Sequence, residues 1–248
     1  MAIELVAVGV LAFIAGATQT SVGFGSALVF VPAATLVVGP ESSVAAMLVA
    51  VPLIGTVLYV NDRPRTSLKD AVPLASLSIV SMPAGLWLLT RGDEDILRLL
   101  VGFAVMSAVV IDRIGGPSPE VERRPNLLLA AGSGLASGLM RGATSIGGPP
   151  FVLYYQWLGG GAWRFRSRMF SSSAMSGIAG LGVALFSDVF NADTMPAVLV
   201  TLPLAVIGIV VGIRVRPLIS DHQLRRISVM LLVATGVLAI ATATTALL

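Results

Sequence analysis

Apolar residues run along this chain in long blocks and do not recur on one helical face or alternate as in a half-buried strand. Ten blocks follow one another: Ile3–Thr18, Ser26–Val38, Val44–Val60, Ala71–Thr90, Ile96–Ile111, Leu127–Met140, Pro149–Leu158, Met169–Ser187, Met195–Val215 and Ile227–Leu248. A helix needs roughly 17–25 such residues to cross a bilayer. The third, fourth, eighth, ninth and tenth blocks reach that length, and the fifth nearly does. The first, second, sixth and seventh fall short, and they come as two adjacent pairs. A glycine-rich break splits each pair: Gly23-Phe24-Gly25 in one, Gly147-Gly148-Pro149-Pro150 in the other. Pro52, Pro73, Pro83 and Pro203 are read as kinks, which membrane helices tolerate when neighbours satisfy the freed backbone.

The blocks repeat. Gly16 matches Gly138 and Gly25 matches Gly147, both at an offset of 122; Gly85 matches Gly212 and Leu97-Arg98 matches Leu224-Arg225, both at 127. Five blocks, the first two short and broken, occur twice. The competing reading is chance likeness between apolar, glycine-rich runs. The expected fold is therefore an all-α polytopic membrane protein. Its first repeat covers residues 1–112, its second 127–248, and a linker of residues 113–126 joins them. Each half opens with a broken or re-entrant helix pair.

Composition fits lipid as the solvent. Of 248 residues, 56% are hydrophobic, 12% are charged, and mean hydropathy is +0.92. Soluble domains carry about 25% charged residues. The absence of cysteine removes disulfide scaffolds, thiolate metal sites and cysteine nucleophiles, and a single histidine argues against zinc or haem. No metal site or cofactor is expected. The pI near 9.9 does not imply nucleic acid, because the net charge is only +3 and the bases sit in short loops. Glu4 and the lack of a preceding base argue against a cleaved signal.

The loop charges give an orientation, since Lys and Arg concentrate on the cytoplasmic side. Asn61–Asp70 holds Arg63, Arg65 and Lys69, while its counterpart Asp188–Thr194 holds only acids. Gly39–Ser43 has no base, while its counterpart Gly161–Arg168 holds Arg164, Arg166 and Arg168. Matching loops thus differ in charge character, as expected if the halves cross the bilayer in opposite senses. The resulting path puts both termini, Gly39–Ser43, Arg91–Asp95 and Asp188–Thr194 outside. It puts Asn61–Asp70, the linker, Gly161–Arg168 and Arg216–Arg226 inside. Each short pair is either a re-entrant hairpin or two tilted spans; both give the same loop sides.

Interrupted segments at matching places in two halves are the best sequence pointer to a transporter's site. The two tips would meet near the midplane, with helix N-termini aimed at a cavity and favouring an anion. The expected substrate-binding set is Thr18, Gln19, Thr20, Ser21, Gly23 and Gly25 from the first tip. The second contributes Arg141, Thr144, Ser145, Gly147 and Gly148. Arg141 stands out, because a charge inside an apolar stretch is expensive and faces a cavity or partner. Its guanidinium matches an oxyanion in bidentate fashion. The competing reading is that it snorkels to an interface or is held by backbone carbonyls. Gln19 is its repeat counterpart and a source of amide donors, or else polar glue between helices. Arg164, Arg166 and Arg168 are read as topology determinants, and His222 as solvated.

Gly16, Gly23-Phe24-Gly25 and Pro32, with Gly138, Gly147-Gly148-Pro149, Gly85 and Gly212, give the chain a resemblance to the TauE/SafE family of sulfite and organosulfonate exporters. It extends over nearly the whole chain. In the first half the glycine run is thinned to Gly23-Phe24-Gly25-Ser26. The resemblance implies transport of sulfite, thiosulfate, sulfoacetate or related sulfonates, in the inner membrane of a bacterium. Composition and spacing point only to an anion. The expectation is a secondary carrier using alternating access, with an anion channel or a permease for another small anion as the alternative. An enzyme is not expected, since hydroxyls without a base are a poor nucleophilic set. The expected partners are the anion and the bilayer, not nucleic acid; a homodimer stays open.

Overall fold

The computed structural model describes residues 2–22, 25–62, 71–115 and 119–215. Among these the chain forms eight helices and no strands: α1 (Ala2–Val22), α2 (Ser26–Asp62), α3 (Val72–Arg91), α4 (Glu94–Gly115), α5 (Leu127–Thr144), α6 (Gly148–Leu158), α7 (Gly161–Ala184) and α8 (Met195–Val215). The tenth block, the loop Arg216–Arg226 with His222, the Leu224-Arg225 match, Gly23 and most of Asn61–Asp70 lie outside the described residues.

Four helices are long and apolar enough to cross a membrane: α1, α2, α3 and α8. Their outward faces are apolar too, with Val6, Val10, Val80, Trp87, Leu199 and Ile207 exposed. Helices apolar on both faces belong in lipid. Two-thirds of the apolar window of α2 is buried, against 33–39% for the other three, so α2 is the central helix. Its Phe30, Met47, Ile54 and Leu58 are fully buried.

Several boundaries differ from the sequence expectation: α4 runs on to Gly115, into the expected linker, and α5 runs on to Thr144. The first block is not short: α1 runs through Thr18-Gln19-Thr20 to 21 residues. The two threonines fit a helix because each hydroxyl donates back to the chain, Thr18 to Ala15 O (3.0 Å) and Thr20 to Ala17 O (2.7 Å). Gly39–Ser43 is a sharp break and not an open loop: α2 is two helical segments, residues 26–38 and 40–62, that meet at Gly39. Gly39 alone leaves helical geometry (φ 80°, ψ 166°), and Ser43 Oγ donates to Pro40 O (2.9 Å) as the helix resumes. Gly161–Arg168 likewise forms the first turns of α7, so its three arginines lie on a helix. The 11-residue α6 is too short to span, as its block predicts.

Packing is dominated by α1 against α8, α3 against α5, and α2 against α7. These contacts pair up across the chain. A Cβ at Gly16 would strike Ala205 O, and one at Gly138 would strike Ser78 O. A Cβ at Gly85 would meet Leu139 O, and one at Gly212 would lie 2.8 Å from Ala17 O. At the α2–α7 crossing, Gly55 faces Ala174 and Gly177 faces Pro52. Small residues allow such backbone approach, which is what drives helix association in lipid.

The segment before α5 is strapped to the α6–α7 elbow. The amides of Gly160 and Gly161 donate to Pro119 O, and the Arg123 amide donates to Leu158 O (2.7 Å). Arg164 and Arg168 both reach the Glu122 carboxylate, and Arg123 lies over the Trp157 ring. Gly159, Gly160 and Gly161 all have positive φ, which makes this tight elbow feasible. Arg168 is buried and Glu122 is part-exposed. Glu122→Gln is therefore expected to lower stability by about 1–2 kcal/mol. An unchanged thermal midpoint in detergent would show that the clasp contributes nothing.

Candidate functional site

The second break is a tight turn between α5 and α6. α5 starts on Asn126, whose side chain accepts from the Leu128 and Leu129 amides. It ends at Ser145, which turns left-handed (φ 57°) and donates its amide to Arg141 O (2.7 Å). The Ile146 amide donates to Thr144 Oγ1 (3.2 Å), and Ser137 Oγ donates to Gly147 O (2.5 Å), folding the tip back onto α5. Pro149 and Pro150 occupy the first turn of α6, where their missing N–H groups break no helical hydrogen bond.

At the start of α2, Gln19 Oε1 accepts the Ser26 amide (3.0 Å). The α1 side chain thus caps α2, and its NH2 group remains as the donor. The two tips share one small cavity of about 30 Å³. Gln19, Gly25, Ser26 and Val51 line it from the first half, and Arg141, Gly147, Gly148 and Ser173 from the second. These are four pairs, each separated by 122 positions. Ser145 and Ile146 complete the polar and apolar walls on the second side.

Arg141 is 3% exposed. Its Nε is buried without a hydrogen-bond partner, and among the described residues no carboxylate pairs with its guanidinium. The contrast with Arg168 is instructive. That arginine is equally buried and its Nε is unpartnered too, but its two terminal nitrogens are held by Gly159 O and Glu122. Ser145 Oγ, 2% exposed, is also buried without a partner. A cation and a hydroxyl left unsatisfied at one cavity carry a desolvation penalty that an anion would relieve.

The expected residues divide accordingly. The structure brings Gln19, Gly25, Arg141, Ser145, Gly147 and Gly148 together. It does not bring Thr18, Thr20 or Thr144 to the cavity. Their hydroxyls are used on local carbonyls, and Thr20 Oγ1 faces Gly212 of α8. Gly23 and the side chain of Ser21 lie outside the described residues. Sequence reasoning missed Val51 and Ser173. The 122 offset that matched the tips would have paired them, had it been carried into the next helix. Ser26, outside the binding set expected from sequence, also lines the cavity.

Gly147 presses against the cation. A Cβ there would lie 2.8 Å from Arg141 Nε and 3.0 Å from Nη2. Its φ of −92° accepts alanine. Gly147→Ala is expected to fold normally and weaken anion binding about tenfold (~1.4 kcal/mol) by displacing the guanidinium. Titration by thermal shift measures this, and an unchanged affinity would separate Gly147 from the site.

No curated protein and no solved structure matches the chain. Residues 8–239, nearly the whole length, match the family described as sulfite exporter TauE/SafE. That match spans both helix breaks and the cavity between them. A multi-pass helical membrane protein with these breaks, this chain belongs to the TauE/SafE sulfite exporter family, a family of transporters.

Proposed function

We propose that this protein is a secondary carrier for a small sulfur-containing oxyanion, working by alternating access around the cavity between the two tips. The observation that carries the proposal is Arg141: a buried guanidinium whose Nε has no hydrogen-bond partner, facing a cavity with no carboxylate among its described lining residues. The family supplies the sulfur, with sulfite, sulfoacetate or another organosulfonate as the cargo.

The carrier consists of two inverted halves, residues 1–112 and 127–248, joined by the linker 113–126. The paired close approaches of Gly16 and Gly138, Gly85 and Gly212, and Gly55 and Gly177 support the duplication. So do Gly39 and Gly161, 122 positions apart with φ of 80° and 79°. Loop contacts support the orientation. Glu122 ties the linker to the arginines of α7, so these two basic stretches lie at one end. Asn191 Nδ2 donates to Glu41 Oε1 (3.3 Å), so the base-free kink of α2 and the acidic α7–α8 loop lie together. The basic end is cytoplasmic. Both termini are then outside, in the inner membrane of a bacterium.

No carboxylate lies deep in an apolar block; Glu4 and Asp112 are at block ends. Proton-coupled carriers commonly embed one. Coupling therefore uses the protonation state of the anion, an exchanged anion, or no second ion; sodium held by carbonyls and hydroxyls is the remaining route. Flux in proteoliposomes, with pH and sodium gradients varied separately, tests this. Sulfite flux that saturates and follows its own gradient is expected. Strong drive of a permanently ionised sulfonate by a proton gradient would overturn the coupling, and currents too large for carrier turnover would make the protein a channel.

A further inference from the structure

We infer that the cavity selects compact oxyanions bearing a single negative charge, and so takes sulfite as hydrogen sulfite and not as the dianion. The inference rests on the reading of this cavity as the anion site and narrows what that site accepts.

Charge matching is the first argument. Arg141 is the only charged residue among the described residues that line the cavity; Gln19, Ser26, Ser145 and Ser173 are neutral. A monoanion on Arg141 makes a neutral pair. A dianion leaves one full negative charge in a buried, low-dielectric site with no second cation among those residues. An uncompensated buried charge is strongly disfavoured, and ions in such a place neutralise where they can. Hydrogen sulfite meets that requirement by keeping its proton.

Hydrogen bonding agrees with this. Gln19 Oε1 is already occupied by the Ser26 amide, so Gln19 offers donors to the cavity. Ser145 Oγ is unpartnered and buried, and a hydroxyl both donates and accepts. The site thus holds one cation, neutral donors, and an acceptor for the proton that a singly ionised oxyacid retains. An anion without a proton, whether singly or doubly charged, leaves Ser145 as a donor only, so this contact favours hydrogen sulfite while the charge rule itself rests on Arg141.

Size is the third argument. A cavity needs about 10–15 Å³ to hold one water, so about 30 Å³ admits only a compact group. Leu28, Val51 and Ile146 give it apolar walls, which suit a sulfur lone pair or a methyl group. Sulfoacetate has a second charged end, for which the described lining residues provide no cation.

The test uses the full chain in lipid nanodiscs and three probes: methanesulfonate, a permanent monoanion; sulfate, a dianion throughout the range; and sulfite, whose second ionisation falls near neutral pH. The chain has no cysteine, so sulfite meets no thiol or disulfide. Binding is read from the rise in thermal midpoint with concentration. Methanesulfonate is expected to bind equally at all pH values and sulfate at least tenfold more weakly. The apparent Kd of sulfite should rise about tenfold for each pH unit above its second ionisation, as the competent form is diluted. Sulfate binding as tight as methanesulfonate, or sulfite affinity that is flat or rises with pH, would overturn the charge rule while leaving the site in place. If no anion stabilises the protein, or if Arg141→Gln is stabilised as much as wild type, the site reading falls and the charge rule with it.

Discussion

Arg141→Gln should abolish anion binding and transport while leaving the folded protein at least as stable as wild type. The two halves of that result come from one fact. The guanidinium is buried, and no carboxylate pairs with it among the described residues. Replacing it with a neutral side chain removes a desolvation penalty of several kcal/mol and breaks no ion pair found among the described residues. The bound anion, by contrast, loses its only charged partner there. A loss of at least about a hundredfold in affinity, or ~2.7 kcal/mol, is the expected scale. Arg141→Lys keeps the charge but not the planar fork, so binding should weaken and not vanish. A structural arginine would behave in the opposite way, with Arg141→Gln lowering the thermal midpoint and leaving the affinity of the remaining folded protein unchanged.

The second large effect concerns the helix contacts that hold the tips in place. Gly138→Leu should prevent stable folding, because its Cβ would already overlap Ser78 O and Ser81 Oγ. Backbone cannot yield as a flexible side chain can, and overpacking of this kind costs about 3 kcal/mol or more. Gly16→Leu should do the same in the first half of the chain, against Ala205 O and the Ile209 amide. Gly132→Ala, with nothing within 4 Å of its Cβ, should stay within about 0.5 kcal/mol of wild type. Monodispersity and thermal midpoint in detergent read all three. Tolerance at one of Gly16 and Gly138 but not the other would count against equivalent packing in the two halves.

Much of this was legible before any coordinates, and the reasons differ by feature. Met195–Val215 reads as a span and forms α8 with those boundaries, because only Thr201 and Arg214 in the last turn depart from its apolar run. The glycine break at 145–147 is visible because Gly147 and the two prolines after it cannot continue α5. The length of α1 was not legible. Thr18, Gln19 and Thr20 look like a polar stop, yet their side chains serve α1 and the start of α2. The start of α7 was hidden for a related reason. Arg164 and Arg168 read as loop charges, but both lie on a helix and share the Glu122 carboxylate from a distant segment. At the candidate site, residue type pointed to Arg141, Gln19 and Ser145, which line one cavity. It could not separate Thr144, whose hydroxyl closes the turn, from Ser145, whose hydroxyl is free for the cavity.

The central claim is that both halves build one anion site around Arg141, and the cysteine-free chain allows a direct measurement. Ser26→Cys and Ser173→Cys each place a single thiol on the cavity, one from each half. The rate of alkylation by iodoacetamide is measured with and without methanesulfonate. Protection of both thiols at the same anion concentration, lost from both when Arg141→Gln is added, is the predicted result. Protection of only one thiol, or protection that survives the loss of Arg141, would contradict a shared site.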